Sequence, residues 1–88
     1  MGDTALYISK RDIIRSTLRA LQLATAGDKA LQSTFCKRLE TLDYCAPELL
    51  DTFWVRIHEY LVRHATSGPL ARDMESIWNT ARLRYDML

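Results

Sequence analysis

The chain has 88 residues, a length that fits one domain over residues 1–88. Because 48% of the residues are hydrophobic and only three are glycine and two proline, the composition excludes a disordered tail. Twelve basic and eleven acidic residues leave a net charge of +1, so no global field attracts nucleic acid or an anionic membrane. No apolar run approaches the roughly 18 residues of a membrane span. Two cysteines nine positions apart do not form the disulfide framework of a secreted protein, so we expect a cytoplasmic protein.

The first predicted helix starts at Ser9 and stops at Gly27. The Ser9 hydroxyl can cap a free backbone N–H, and Asp12 can reach back to it from three positions on. We expect Gly27 to end the helix with a positive φ. Side chains at helical spacing form the predicted buried stripe: Ile14, Leu18, Leu21 and Thr25.

The second and third helices have their own start signals. Asp28 can cap the second helix, whose core stripe is Leu31, Phe35, Leu39 and Leu42, and residues 43–46 form a connector. Pro47 suits the first turn of the third helix, because its missing N–H costs nothing there. The wide apolar band of this helix predicts a central position in the fold: Leu50, Phe53, Trp54, Ile57, Tyr60 and Leu61, with Val55 and Val62 on another side.

The third helix is predicted to end at Gly68, and Pro69 opens a fourth. The stripe of the fourth helix is Leu70, Met74, Ile77, Trp78, Ala81 and Tyr85. Short connectors make neighbouring helices antiparallel. The sequence therefore predicts an all-α fold, with four short antiparallel helices arranged as two hairpins in a small bundle.

Two loops of this chain resemble each other, at residues 23–28 and 64–69. At an offset of 41, residues 24–44 and 65–85 share identities that include Gly27 with Gly68. The core stripes align better at an offset of 39, whereas a true repeat should keep its core in phase. We interpret the two loops as similar helix-ending sequences that arose separately. The alternatives are duplication of a helical hairpin and a ligand-binding loop.

Catalytic and metal-binding patterns are absent from the sequence. His58 and His64 are six positions apart, so on one helix they point in different directions, and there is no Cys-x-x-Cys. No spacing groups a nucleophile with a base, and no glycine-rich loop could hold a phosphate. We therefore expect no metal, no cofactor and no enzymatic activity.

The apolar surplus of the last two helices indicates protein binding. A bundle of this size buries one stripe per helix, and the extra side chains of the third helix need a partner, since Trp and Tyr often anchor interfaces. The candidate contact residues are Trp54, Tyr60, Trp78 and Tyr85. We expect a small regulatory or adaptor protein that acts as a homodimer or binds a partner helix, while a well-filled monomer core is the alternative.

A basic stripe on the first helix supports a second functional class. Arg11, Arg15 and Arg19 share one helical face and could follow the phosphates of DNA. The low net charge opposes this hypothesis, as does the poor match of either glycine loop to a helix-turn-helix turn. The alternative function is thus a DNA-binding regulator. The interpretation without a function is that these arginines form the solvent-exposed face of an amphipathic helix.

Residues 8–42 resemble the last two helices of the YmgB/AriR family, which are small helical bacterial regulators. The matching features are a capping Ser9 before paired basic residues, aliphatic residues at helical spacing, and the Ala24-Thr25 turn. The family has a helix before this hairpin, and nothing from Pro47 onward aligns with it. The resemblance implies a bacterial, non-enzymatic and often dimeric regulator, and it assigns no functional residue.

Overall fold

The structure, a computed structural model, describes the backbone of residues 2–64 and 68–88 and the side chains of residues 9–64 and 68–88. Four α-helices follow one another: α1 (Gly2–Ala24), α2 (Lys29–Leu42), α3 (Leu50–His64) and α4 (Gly68–Asp86). One turn of 3-10 helix, Pro47–Leu49, leads directly into α3. The described residues contain no strand, and the predicted all-α class with four helices is confirmed.

The start of α1 differs from the prediction. The helix begins at Gly2, so Ser9 lies inside it and does not cap it. The residues between Gly2 and Ser9 include no proline and no further glycine, so no helix breaker stops the helix from extending towards the amino terminus. A capping residue permits a helix to start but does not force it to.

The turn after α1 is closed by a threonine, and the predicted role of Gly27 is wrong. The Thr25 hydroxyl donates to the Leu21 carbonyl (2.7 Å), and the Asp28 N–H donates to the Thr25 carbonyl (2.9 Å). Gly27 does not have a positive φ; among the described residues, only Gly68 does, at 93°. The turn therefore needs no left-handed residue.

The start of α2 agrees with the prediction, and Gly68 belongs to the start of α4. The Asp28 carboxylate accepts hydrogen bonds from the backbone N–H groups of Ala30 and Leu31. The range of α3 is Leu50–His64, and Gly68 is the first residue of α4, although the sequence predicted that it ends α3. Residues 65–67 of the second glycine loop lie outside the described residues.

The core is built around α1, whereas the sequence predicted α3 as the central helix. Ile14, Leu18 and Leu21 are fully buried, and α1 contacts all three other helices. α3 instead leaves Val55 and Val62 about half to two-thirds exposed, at 52% and 65%. The physical reason is that α1 buries a continuous stripe between neighbours, while the surplus of α3 points away from them.

The core contains part of the predicted stripe of each helix, while the remaining stripe residues pack against it only partly buried: Leu31, Leu39, Phe53, Tyr60, Leu70 and Ile77. Its buried apolar members are Ile13, Ile14, Leu18, Leu21, Phe35, Leu42, Leu50, Trp54, Ile57, Leu61, Met74, Trp78, Ala81 and Tyr85. Thr17 and Thr25 are also buried, and each hydroxyl donates to a carbonyl of the preceding turn. Such bonds let a threonine enter a core without leaving a polar group unpaired.

Candidate protein-interaction surface

Three of the four predicted contact residues form a stack of rings inside the chain. The Trp54 ring lies 4.2 Å from the Trp78 ring and 4.4 Å from the Tyr85 ring, measured between centroids. The three side chains are only 6%, 6% and 8% exposed. The expectation that they form an exposed contact surface is corrected, because they fill the space between α3 and α4.

Tyr60, the fourth predicted contact residue, lies on a different side of α3. It is half-buried, and its ring meets Phe35 of α2 edge-on at 5.8 Å. Its other neighbour is the His64 ring, 4.2 Å away. The structure therefore separates Tyr60 from the stacked rings, and the four residues do not form one surface.

Two of the three arginines of the basic stripe on α1 contact the end of α2 and the residues that follow it. The Arg11 guanidinium donates to the carbonyls of Leu42 and Cys45, the second at 2.9 Å. Arg15 pairs with Asp43 at 2.8 Å and with Asp12 at 3.3 Å.

Arg19 is the third member of this basic stripe. It is exposed and forms no ion pair with any described residue. A phosphate backbone would therefore have to compete with internal partners at Arg11 and Arg15, which weakens the DNA-binding hypothesis.

A polar cluster fixes the outer end of the ring stack. The Asp51 carboxylate accepts from the Tyr85 hydroxyl and, at 3.0 Å, from the Lys10 ammonium. The hydrogen bond from Tyr85, followed by that from Lys10, lowers the pKa of Asp51. Burial, followed by the bond to Asp51, raises the pKa of Tyr85 well above its ordinary value. The cluster joins α1, α3 and α4.

Acid is expected to weaken this cluster. Because the pKa of Asp51 is lower in the folded chain than its ordinary 3.8, the charged carboxylate stabilises the fold at neutral pH. That contribution fades from about pH 5 downward and is lost as the pH falls through the folded pKa. Urea unfolding of wild type and Asp51→Asn should show a stability difference at neutral pH that shrinks near pH 3. A difference that stays constant would contradict the prediction.

The exposed apolar surface of α3 borders a groove with α4. We call this the α3–α4 groove, and it is lined by His58, Leu61, Val62, Glu75, Trp78 and Asn79. Its volume is about 320 Å³, and the His58 ring stacks on the Trp78 ring at 4.8 Å between centroids. The groove thus has an apolar floor and polar groups at its edge.

The sequence predicted an apolar surplus on α3 but no groove. Val55 and Val62, two members of that surplus, are exposed, and Val62 lines the groove. Glu75 and Asn79 were missed, because their place opposite His58 depends on how α4 is aligned with α3. No spacing within either helix carries that information.

Groups that could hold a metal do not converge in the described part of the chain. Among residues 9–64 and 68–88, no three His, Cys, Asp or Glu side chains lie close enough to bind one ion. Cys36 and Cys45 are half-buried free thiols. In the same ranges, no helix has the length and apolar character to cross a membrane.

Comparison with known proteins adds no relative to this description. No family model, curated protein or solved structure matches the chain.

Proposed function

We propose that this protein is a small non-enzymatic regulator or adaptor that binds protein through the apolar face of α3, as a homodimer. The observation that carries the proposal is the exposure of Val55 and Val62 beside the α3–α4 groove. Isolated exposed apolar residues are ordinary on protein surfaces. Val55 and Val62 lie two turns apart on one side of α3, and Val62 also lines the groove, so apolar side chains and the groove are exposed together on this side of the helix.

The composition of the α3–α4 groove supports protein as the ligand. The apolar part of the groove consists of Leu61, Val62 and Trp78. The imidazole of His58 and the carboxyl group of Glu75 are the polar groups at its rim. Protein interfaces combine an apolar centre with a polar rim in this way. The apolar part excludes water, and the rim groups set the register of the partner.

The helix arrangement that we propose is two antiparallel hairpins, which leaves α3 at the outside of the bundle. Pairing of α1 with α2 is supported by the bond from the Gln32 side chain to the Gln22 carbonyl (3.1 Å), while Arg15 meets Asp43 near the opposite ends. For α3 and α4, the contacts of Trp78 with His58 and of Trp54 with Tyr85 support the same direction.

We also propose a cytoplasmic location in a bacterial cell. The free thiols of Cys36 and Cys45 are compatible with a reducing compartment. The resemblance of residues 8–42 to the YmgB/AriR regulators supports the bacterial and regulatory parts of the proposal.

Charging the apolar face should abolish self-association. Light scattering on a sizing column, over a hundredfold concentration range, should give the wild type twice the 10.2 kDa of one chain. Val62→Glu should give the mass of a single chain, because the dimer would bury an unpaired carboxylate in its interface. The helical circular dichroism of this variant should be unchanged. The matched control is Leu23→Glu, at a leucine of α1 that is 77% exposed compared with 65% for Val62, and it should remain dimeric.

Two results would count against this proposal in different ways. A dimer that survives Val62→Glu would place self-association on another face. A wild type that is a monomer at every concentration would rule out the homodimer. The interaction function would then require that a photo-crosslinking residue at position 62 captures a different protein in cells. If that residue forms no adduct beyond the level seen at position 23, the interaction function itself fails.

A further inference from the structure

A second groove lies on the opposite flank of α3, where the end of α2 and the 3-10 turn meet it. We call it the arginine groove; its lining residues are Arg38, Thr41, Leu49, Thr52, Phe53 and Arg56, with Cys45 at its base. Its volume is about 360 Å³, enough for one or two side chains. Leu49 is 55% exposed and Phe53 is half-buried, so apolar surface is open to a ligand.

The charges of this groove are all of one sign. Arg38 and Arg56 both line it, and neither forms an ion pair with any described residue. Arg11 does not line the groove, but its guanidinium donates to the carbonyl of Cys45, a lining residue, and to that of Leu42. Arg11 and Arg15 would have to break contacts within the chain to bind an anion. Arg38 and Arg56 have no such side-chain partner within residues 9–64 and 68–88, so they can bind an anion directly.

We propose that the arginine groove docks an acidic peptide segment of a partner protein, with one apolar side chain of the segment seated against Leu49 and Phe53. Carboxylates on either side of that apolar residue would pair with Arg38 and Arg56. A guanidinium presents a planar fork of donors that matches a carboxylate, so each such pair adds orientation as well as attraction. The alternation of acid, apolar and acid is therefore the recognition pattern.

The apolar floor favours a peptide over a nucleic acid. A phosphate backbone would satisfy the arginines but would leave Leu49 and Phe53 without an apolar partner. Binding to a backbone also requires a series of cations, whereas the chain has a net charge of only +1. An acidic peptide with an apolar anchor satisfies both features of the groove.

This inference goes beyond the proposed function, because it concerns a different flank of α3 and a stated partner chemistry. The α3–α4 groove shares no lining residue with the arginine groove. A Val62→Glu variant should therefore bind the same peptides as the wild type, and loss of dimerisation would not affect the result. Failure of either proposal can be recognised separately.

The test is selection of random twelve-residue peptides displayed on phage against the whole chain. Selected peptides should carry an apolar residue flanked by Asp or Glu. Their affinity, measured by fluorescence anisotropy, should fall at least tenfold on Arg38→Glu/Arg56→Glu. The matched control is Arg72→Glu/Arg82→Glu, which makes the same change of net charge at exposed positions of α4 and should bind as the wild type does.

A charge exchange separates recognition from misfolding. Replacing the acidic residues of a selected peptide with lysine should abolish binding to the wild type and restore it on Arg38→Glu/Arg56→Glu. The proposal is overturned if no peptide is enriched, if enriched peptides lack acidic residues, or if they bind the groove variant as tightly as the control. Displacement of the peptide by duplex DNA at equal charge concentration would assign the arginines to nucleic acid instead.

Discussion

Trp54→Ala is expected to remove about 3–5 kcal/mol from the free energy of unfolding, because it empties the centre of the ring stack. Both stacking partners, Trp78 and Tyr85, lose their contact with the Trp54 ring, and the space between α3 and α4 cannot close without moving a helix. Domains of ordinary stability have only about 5–15 kcal/mol in total. Urea unfolding followed by far-UV circular dichroism measures the loss.

Its control is the adjacent residue of the same helix. Val55→Ala truncates a side chain that is 52% exposed, and a surface change of this kind normally stays within about 0.5 kcal/mol. Trp54→Phe should fall between the two, since it keeps an apolar ring in the stack. If Trp54→Ala and Val55→Ala cost the same, the stack does not support the fold, and the aromatic residues return as candidates for an external contact.

Arg11→Ala should cost about 1–3 kcal/mol, the range for lost hydrogen bonds to a charged group. The Leu42 carbonyl keeps its hydrogen bond from the Cys45 N–H (3.1 Å) in this variant. The Arg11 guanidinium bridges the carbonyls of Leu42 and Cys45, at the end of α2 where backbone carbonyls lack helical partners. A cation there also interacts favourably with the helix dipole. Arg11→Lys should recover only part of the stability, because one ammonium cannot reproduce the planar fork.

Arg19→Ala provides the matched control on the same stripe of α1. Arg19 is exposed and has no ion-pair partner among the described residues, so its loss should change stability by less than about 0.5 kcal/mol. Hydrogen exchange adds a local readout. The amides of Tyr44 and Cys45, which donate to Thr41 and Leu42, should lose protection in Arg11→Ala and keep it in Arg19→Ala. Equal effects of the two variants would contradict a structural role for Arg11.

The buried stripes were predictable from the sequence because they follow from one rule. Side chains such as Leu18, Phe35 and Met74 recur at helical spacing, and their removal from water drives each helix onto its neighbours. The cap at Asp28 was equally visible, because a carboxylate before a helix has a defined local partner. Signals that act within one helix turn can be read without the fold.

Ser9 has the chemistry of a cap, yet the helix passes through it, because residues 3–8 contain no helix breaker. The features that the sequence could not give depend on other helices. The aromatic surplus of α3 and α4 was counted correctly, but the sequence does not give the width of the gap that Trp54 and Trp78 fill. Arg11 finds its acceptors 31 and 34 positions away, a distance that no local pattern encodes.

The central position of α1 has a consequence for the order in which the protein can fold during synthesis. Of the four helices, α1 is synthesised before the other three, and it is in contact with α4, which is synthesised after them. The apolar stripe of α1 therefore lacks its full set of neighbours until α4 has been made. A nascent chain that exposes such a stripe is vulnerable to aggregation and is a substrate for chaperones. Completion of the core thus depends on α4.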